Sequence, residues 1–168
     1  MRMISTENDL LQFLTDHSIP YRRFEHAAVY TCEQADQAHP NLEGVSTKNL
    51  FLRDRAGRFY LIVTDCAKRI DLKLLGQRIG ASKLHFAPEE KLKALLGVSA
   101  GAVTALGLVN DTSHQVQLLM DREIWDKATF QSHPLVNTST LVLSRKDLEY
   151  FFELSGHAVQ LVELGQDG

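Results

Sequence analysis

The sequence predicts an α+β fold built around a mixed or antiparallel β-sheet. Its 168 residues suit one domain of ordinary size. A hydrophobic fraction of 44% and a charged fraction of 23% are typical of a globular chain. Helical and strand patterns alternate irregularly, without the regular βαβ order of a doubly wound sheet. Because no repeat or linker-like segment interrupts them, residues 1–168 are predicted to form one domain.

Apolar spacing and capping residues predict the elements of the N-terminal quarter. Residues 5–17 carry apolar side chains at helical spacing, with Ser5, Thr6 or Asn8 available as the cap. The stretch "IPYRRFEH" then predicts a short strand. "TCEQADQA" predicts a second, short helix that begins with a capping box at Thr31.

The stretch "GVSTKNLFLRDRAGRFYLIV" predicts a β-hairpin, with Gly57 supplying the positive φ of the turn. Lys48 shares strand parity with Leu50 and Leu52, so a cation projects onto a face that also carries core leucines. Two interpretations of this lysine stay open. Its stem packs on the sheet while the ammonium reaches water, or it lies at a cleft edge and binds a phosphate or carbonyl oxygen.

The remaining elements follow from caps, closing glycines and strand-like runs. Helices are predicted between a cap and a glycine at 71–80 and 144–156, and at 88–97 with Pro88 in the first turn. Strands are predicted for "KLHFA", "HQVQLLMD", "TFQSH", "STLVLS" and "AVQLVEL".

Composition narrows the classes of function and compartment. A net charge of -3 argues against a protein that wraps long nucleic acids, although not against a site that touches only the end of an RNA. The N-terminus is too polar for a signal peptide, and no apolar run approaches the length of a membrane span. Cys32 and Cys66 are far apart without a CxxC pair, which predicts free thiols in a reducing compartment. The cytoplasm is therefore expected.

Motifs for metal, nucleotide or nucleophile chemistry are weak. The seven histidines show no i, i+4 pair, so neither a metal site nor a cofactor is predicted. GxGxxG and GxxxxGK[ST] are missing from the sequence, and no nucleophile elbow is predicted. A thiol nucleophile at Cys66, activated by Lys68 and Arg69, is one interpretation, but a buried structural cysteine is favoured.

Two loop-like segments offer polar groups without deciding their role. "GVSAGAVTALGLVND" contains Gly97, Gly101 and Gly107, which either bring backbone N–H groups to a ligand, as in an oxyanion hole, or only form tight turns. In "SHPLVNTST", His133 precedes a proline and is biased to an extended conformation. It is a pocket residue or an ordinary turn histidine, and polar residues 137–140 follow it.

Together, "KNLFLRDRAGRFYLIV", "GVSAGAVTALGLVND" and "SHPLVNTSTLVL" resemble, in order and spacing, the YbaK/prolyl-tRNA editing-domain family. The N-terminal "IPYRRFEHAAVYT" and the C-terminal "DLEYFFELSGHAVQLVEL" resemble its free-standing alanyl-tRNA(Pro) deacylase branch. The resemblance implies that residues 1–168 form a single editing domain, a compact α+β fold in which helices flank a central mixed, largely antiparallel β-sheet. It also implies hydrolysis of the ester of a wrongly charged aminoacyl-tRNA.

The resemblance also implies the site residues. The family's functional lysine falls on Lys48, its pocket histidine on His133, and its GxxxP loop on the segment from Gly101 to Ala105. Ala105 stands where the family has proline, which is expected to loosen the loop slightly. The expected catalytic residues are Lys48 and Gly101, and the expected substrate-binding residues are His133, Asn137, Thr138, Ala102 and Ala105.

The implied chemistry uses no protein nucleophile, metal or cofactor, because the ester is already activated and mainly needs positioning and oxyanion stabilisation. Lys48 would orient the acceptor end, the Gly101 N–H would polarise the carbonyl, and His133 would bound the side-chain pocket. A hydroxyl of the terminal adenosine, with water, is implied to assist.

The implied partner is the acceptor end of mischarged tRNA(Pro), with a transient contact to prolyl-tRNA synthetase. No membrane partner is expected, and a monomer is expected because the sequence shows no long heptad pattern or obvious partner helix. Phosphates could be met by four cations: Arg22, Arg23, Lys68 and Arg69. Two alternatives stay open. The chain could deacylate Cys-, Ser- or Thr-charged tRNA, or it could bind an acceptor end without turnover.

Overall fold

A mixed sheet of eight strands forms the centre of the computed structural model, which describes residues 3–164. The strands are β1 Arg22–Glu25, β2 Val45–Arg53, β3 Phe59–Asp65, β4 His85–Phe86, β5 Val116–Asp121, β6 Thr129–Ser132, β7 Ser139–Ser144 and β8 Gln160–Val162. The helices are α1 Glu7–Asp16, α2 Cys32–Ala38, α3 Leu72–Ile79, α4 Glu89–Leu96, α5 Arg122–Trp125 and α6 Arg145–Ser155. Two 3₁₀ helices span Ala100–Ala102 and Ala105–Asn110. The predicted α+β class is confirmed.

The strand order is β1-β7-β6-β2-β3-β5-β8, and β4 adds to β2 beside this path. The pairs β1–β7, β6–β7, β2–β3 and β2–β4 are antiparallel, whereas β2–β6, β3–β5 and β5–β8 are parallel. The sheet is thus mixed, as the sequence predicts.

Side chains of β3 alternate between two cores, one on each face of the sheet. Phe59, Leu61 and Val63 join the larger cluster, to which α1, α4 and α6 contribute. Tyr60 and Ile62 join a smaller cluster under α3. Because neighbouring side chains of a strand point to opposite faces, the nearly unbroken apolar run of β3 fits a strand that is covered on both sides.

The two edges of β2 are paired unequally. One edge pairs with β3 from Thr47 to Arg53. The other edge pairs with β6 only at Val45 and Ser46, and with β4 only at Leu52 and Arg53. In the described part of the chain, the middle of β2 therefore has no strand neighbour on this side.

Backbone alternation shows which groups of β2 face this gap. The Ser46 carbonyl accepts from the N–H of Cys66 on the β3 side, and the Phe51 carbonyl accepts from the N–H of Ala87 on the opposite side. Backbone groups of successive strand residues point to opposite edges. The N–H and C=O of Asn49 consequently point into the gap, away from β3.

Most predicted boundaries agree with the structure. The side chains of Thr6, Thr31, Asp71 and Ser144 cap α1, α2, α3 and α6. The glycines predicted to end α3, α4 and α6 are all left-handed. Pro88 is the N-cap of α4 rather than a residue of its first turn. The short α5 and the two 3₁₀ helices were not predicted, because elements of this length leave little periodic signal.

None of the described helices is long and apolar enough to cross a membrane.

A buried ion pair joins the ends of β3 and β5. Lys68 is 3% exposed, and its Nζ lies 2.9 Å from Oδ2 of Asp121 and 2.8 Å from Oε2 of Glu123. The Thr64 hydroxyl donates to the same Asp121 oxygen at 2.7 Å. The prediction that Lys68 meets an RNA phosphate is therefore wrong, because its ammonium is enclosed and already paired.

A second buried carboxylate, Asp111, organises the start of β5. It accepts from the N–H groups of Gln115 and Val116 at 3.0 and 2.8 Å, and its Oδ2 lies 2.8 Å from Nε2 of His157. Burial alone would raise the pKa of Asp111, but the hydrogen bonds to His157 and the two amides outweigh it and hold the pKa below its ordinary value.

We expect Lys68→Ala to lower the free energy of unfolding by about 3–5 kcal/mol, because it leaves Asp121 buried without its counter-ion. Urea unfolding followed by circular dichroism measures the change. Lys127→Ala removes an exposed lysine and is the matched control, expected to change stability by less than about 0.5 kcal/mol. Equal stabilities for the two variants would contradict the role given to this ion pair.

Asp111 also predicts acid sensitivity. Its pKa is lowered in the folded state, so its stabilising contribution is present above the ordinary carboxyl pKa and is lost as the pH falls through the lower folded pKa. Asp111→Asn should therefore flatten the dependence of unfolding free energy on pH below about pH 5. Asp126→Asn, at an exposed carboxyl, is the control and should keep the wild-type slope. An unchanged slope in Asp111→Asn would contradict the prediction.

Candidate active site

A cleft of about 440 Å³ opens at the gap beside the middle of β2. Its volume is in the range of small-molecule sites. The residues that line it come from several segments, among them β2, the β1–α2 connection, the first 3₁₀ helix and the segment after β6. They include Tyr30, Lys48, Asn49, Gly101 and His133.

Lys48 lies on β2 in the wall of this cleft, half-buried. Its amine has no ion pair within residues 3–164, although Asp65 and Arg69 are close enough to act on it electrostatically. Burial lowers the pKa of Lys48, the positive charge of Arg69 lowers it further, and Asp65 partly opposes both. A cation without a fixed counter-ion in a cleft is available to an anionic or carbonyl oxygen of a ligand.

Gly101 is exposed at the mouth of the cleft, in the 3₁₀ helix Ala100–Ala102. The Ala102 N–H donates to the Ser99 carbonyl at 3.0 Å, so the N–H of Gly101 precedes the first bond of this helix. Amides in the first turn of a helix have no partner inside it and are available to a ligand oxygen.

Ala105, where the resemblance implies proline, donates its backbone N–H to Oδ1 of Asn49 at 2.9 Å. Proline has no N–H and could not make this bond. The expected loosening of the loop is therefore offset by a hydrogen bond that attaches it to β2. Asn49 was not predicted as a site residue, since the sequence does not show that its side chain meets the loop.

His133 lies at the inner part of the cleft, where its Nδ1 is 3.1 Å from the Ser139 carbonyl. A carbonyl only accepts, so in the neutral ring Nδ1 carries the proton and Nε2 is an acceptor. Burial lowers the pKa of His133, the nearby His26 lowers it further, and the bond to Ser139 opposes this. His133 is accordingly a neutral, polar wall of the cleft near pH 7.

The other residues expected to bind substrate are not among those that line the cleft. Nδ2 of Asn137 donates to the Val29 carbonyl at 3.0 Å, and the Val29 N–H donates to the Asn137 carbonyl at 3.1 Å. The Thr138 carbonyl accepts from the N–H of residue 26 at 2.9 Å. Ala102 and Ala105 are buried. Direct contact of these four residues with a substrate stays a prediction.

The predicted free thiols are wrong, because Cys32 and Cys66 form a disulfide in the structure. Cys32 is the first residue of α2, and Cys66 follows β3 directly. Both line the cleft, and their bond fixes α2 beside the β2–β3 hairpin. A separation of 34 residues gave no indication of this proximity, which arises only when the hairpin brings the end of β3 back to the start of β2. The bond also excludes Cys66 as a thiol nucleophile.

Other catalytic arrangements are not formed in the described chain. Residues 3–164 contain no group of three potential metal ligands. Ser155, His157 and Asp111 are in hydrogen-bonding contact, at 2.9 Å for Ser155 Oγ to Nδ1. The Ser155 hydroxyl lies 3.0 Å from the Phe152 carbonyl inside α6, and His157 is buried. This cluster closes the end of a helix and lies outside the cleft.

Comparisons with known proteins identify the family. The family model described as the aminoacyl-tRNA editing domain matches residues 26–151. "Prolyl-tRNA editing protein ProX" of Acetoanaerobium sticklandii is 38% identical over 152 residues, covering 90% of this chain and 93% of the relative. "Prolyl-tRNA synthetase associated domain-containing protein 1" of Danio rerio is 33% identical, covering 92% of this chain and 85% of the relative.

Two solved structures share the fold. A chain described as a candidate trans-editing enzyme for prolyl-tRNA synthetase aligns with a TM-score of 0.71 and 20% identity, covering 98% of this chain and 99% of that one. A scaffold used for epitope grafting aligns with a TM-score of 0.74 and 19% identity, covering 96% and 97%. At such identities the likeness supports the α+β fold alone.

We expect the double variant Cys32→Ser, Cys66→Ser to lose about 3–4 kcal/mol of unfolding free energy, because the disulfide closes a long loop of the unfolded chain. Urea unfolding without reductant measures the loss. Adding reductant should destabilise the wild type by a similar amount and leave the double variant unchanged. A wild type indifferent to reductant would contradict the disulfide.

Proposed function

The chain belongs to the aminoacyl-tRNA editing domain family, and from that premise we propose that it hydrolyses the ester of alanine wrongly attached to tRNA(Pro). It is an aminoacyl-tRNA deacylase, so the bond it breaks joins an amino acid to the terminal ribose of a tRNA. The observation that carries the proposal is the gap beside β2, where Lys48, Gly101 and His133 line one cleft. The printed names of the relatives, which refer to prolyl-tRNA, support the choice of tRNA.

The proposed reaction needs no covalent enzyme intermediate. Water adds to the ester carbonyl, negative charge develops on the carbonyl oxygen, and the tetrahedral species expels the ribose oxygen, which takes up the proton. The Gly101 N–H polarises the carbonyl and stabilises that charge. Lys48 holds the acceptor end through a phosphate or the carbonyl oxygen. A neighbouring ribose hydroxyl of the substrate helps to position the water.

The proposed selectivity for alanine depends on the size of the side-chain pocket near His133. Sterics exclude a larger group only modestly, since one methylene is worth about 1–3 kcal/mol. Recognition of the correct tRNA therefore rests partly on contacts with the acceptor end. Among the cations predicted to contact phosphates, Arg69 is close enough to Lys48 to lower its pKa. Arg22 and Arg23 are instead paired with Glu43 and Glu7.

We further propose the cytoplasm as the compartment and a monomer that meets prolyl-tRNA synthetase only transiently. The compartment is inferred from the proposed tRNA substrate. Free cysteines no longer support it, because Cys32 and Cys66 are joined.

Lys48→Ala should lower kcat/KM for Ala-tRNA(Pro) by roughly 100-fold, because a charge at the reacting ester is lost. Lys48→Arg retains the charge with a different shape, so its kcat/KM should lie between those of the wild type and Lys48→Ala. Lys73→Ala, on the exposed side of α3, is the matched control and should match the wild type.

The assay measures release of labelled amino acid from Ala-, Cys-, Ser-, Thr- and Pro-tRNA(Pro). Loss of alanine alone supports the proposal, and turnover of another amino acid reassigns the substrate. Binding of an acceptor end without turnover of any ester would overturn the proposed function and leave a binding module. Full activity of Lys48→Ala would overturn the role of that lysine.

A further inference from the structure

Tyr30 is a large aromatic residue that lines the cleft and is nevertheless 73% exposed. Single exposed aromatic residues on a surface need no explanation. This ring, however, stands at the mouth of a cleft, and its hydroxyl makes no hydrogen bond to any residue in the range 3–164.

The backbone that carries Tyr30 is held from both sides. Its N–H donates to Oε1 of Gln34 at 2.8 Å. The preceding residue, Val29, exchanges two hydrogen bonds with Asn137. Two positions further along, Cys32 is covalently attached to Cys66. A flat apolar ring is therefore presented to solvent from a fixed main chain, which is the arrangement of a preorganised contact surface.

The ring of Tyr30 also flanks Gly101. A methyl group at Gly101 would lie 3.5 Å from Cε1 of Tyr30 and 3.5 Å from Nδ2 of Asn137. In an aminoacyl-tRNA, one ribose carries both the ester and the terminal base. A substrate with its ester carbonyl at the Gly101 N–H therefore brings its base close to Tyr30.

We propose that Tyr30 is the stacking surface for the terminal adenine of the substrate, an inference that rests on the proposed function. Bases without Watson–Crick partners stack on aromatic side chains in many RNA-binding proteins. Stacking places the nucleoside and so aligns the ester with Gly101 and Lys48. Tyr30 is a positioning residue in this scheme, because it touches the base and not the reacting atoms.

Phe86 is the alternative surface, since it also lines the cleft and is 61% exposed. It lies in β4, which pairs with β2 at Leu52, toward the far end of the gap. The nearest side chains to Gly101 are those of Tyr30 and Asn137. The base of an ester bound at Gly101 is therefore assigned to Tyr30.

The test measures Kd for an RNA minihelix ending in CCA that carries alanine through a non-hydrolysable amide. Tyr30→Ala should raise Kd by roughly 10-fold, whereas Tyr30→Phe, which keeps the aromatic ring, should stay within about 2-fold of the wild type. Tyr150→Ala removes an aromatic residue of α6 that is 41% exposed and outside the cleft, and it should bind like the wild type.

A second minihelix, with an abasic terminal nucleotide, separates stacking from support of the fold. The wild type should bind the abasic minihelix about as weakly as Tyr30→Ala binds the complete one. On the abasic minihelix, the Kd values of the wild type and Tyr30→Ala should be the same. An equal loss on both minihelices would overturn stacking in favour of a structural role. So would wild-type binding by Tyr30→Ala, or a base dependence abolished by Phe86→Ala alone. Because the readout is binding, failure of the inference is distinct from failure of deacylation.

Discussion

The cleft depends on the unequal pairing of the two edges of β2. Full pairing with β3 fixes the strand in the sheet, and the short contacts of β6 and β4 at its two ends leave the middle uncovered. This gap allows Lys48 and the main chain of Asn49 to meet a ligand without unfolding any element. A longer β4 or β6 would close the same edge with ladder hydrogen bonds and remove the cleft.

Segments that are distant in sequence are then fixed around that edge by individual bonds. Asn49 attaches the glycine-containing loop, Asn137 attaches the β1–α2 connection, and the disulfide attaches α2. Each of these bonds fixes the position of a segment that borders the cleft. In the proposed reaction the chemistry is left to a backbone amide, an ammonium and the substrate itself, and the fold supplies their alignment.

The sequence predicted what local patterns encode. Helix caps, closing glycines and the hairpin turn follow from short-range chemistry, and they agree with the structure. Lys48, Gly101 and His133 were expected from a family resemblance, and the fold brings all three to one cleft. Contacts between side chains that are distant in sequence could not be predicted. Neither the disulfide nor the burial of Lys68 leaves a local signal. The disulfide depends on where α2 meets the end of β3, and the burial of Lys68 depends on where the ends of β3 and β5 meet.

Surface arginines of this molecule are engaged with carboxylates at several places, including Arg22 with Glu43, Arg23 with Glu7 and Arg58 with Asp54. These pairs weaken the local attraction for a polyanion, and the net charge of -3 repels one at long range. Such a surface favours short residence on an RNA. For an enzyme that must inspect many correctly charged tRNAs to find a rare wrong one, rapid release prevents it from withholding the correct ones from translation.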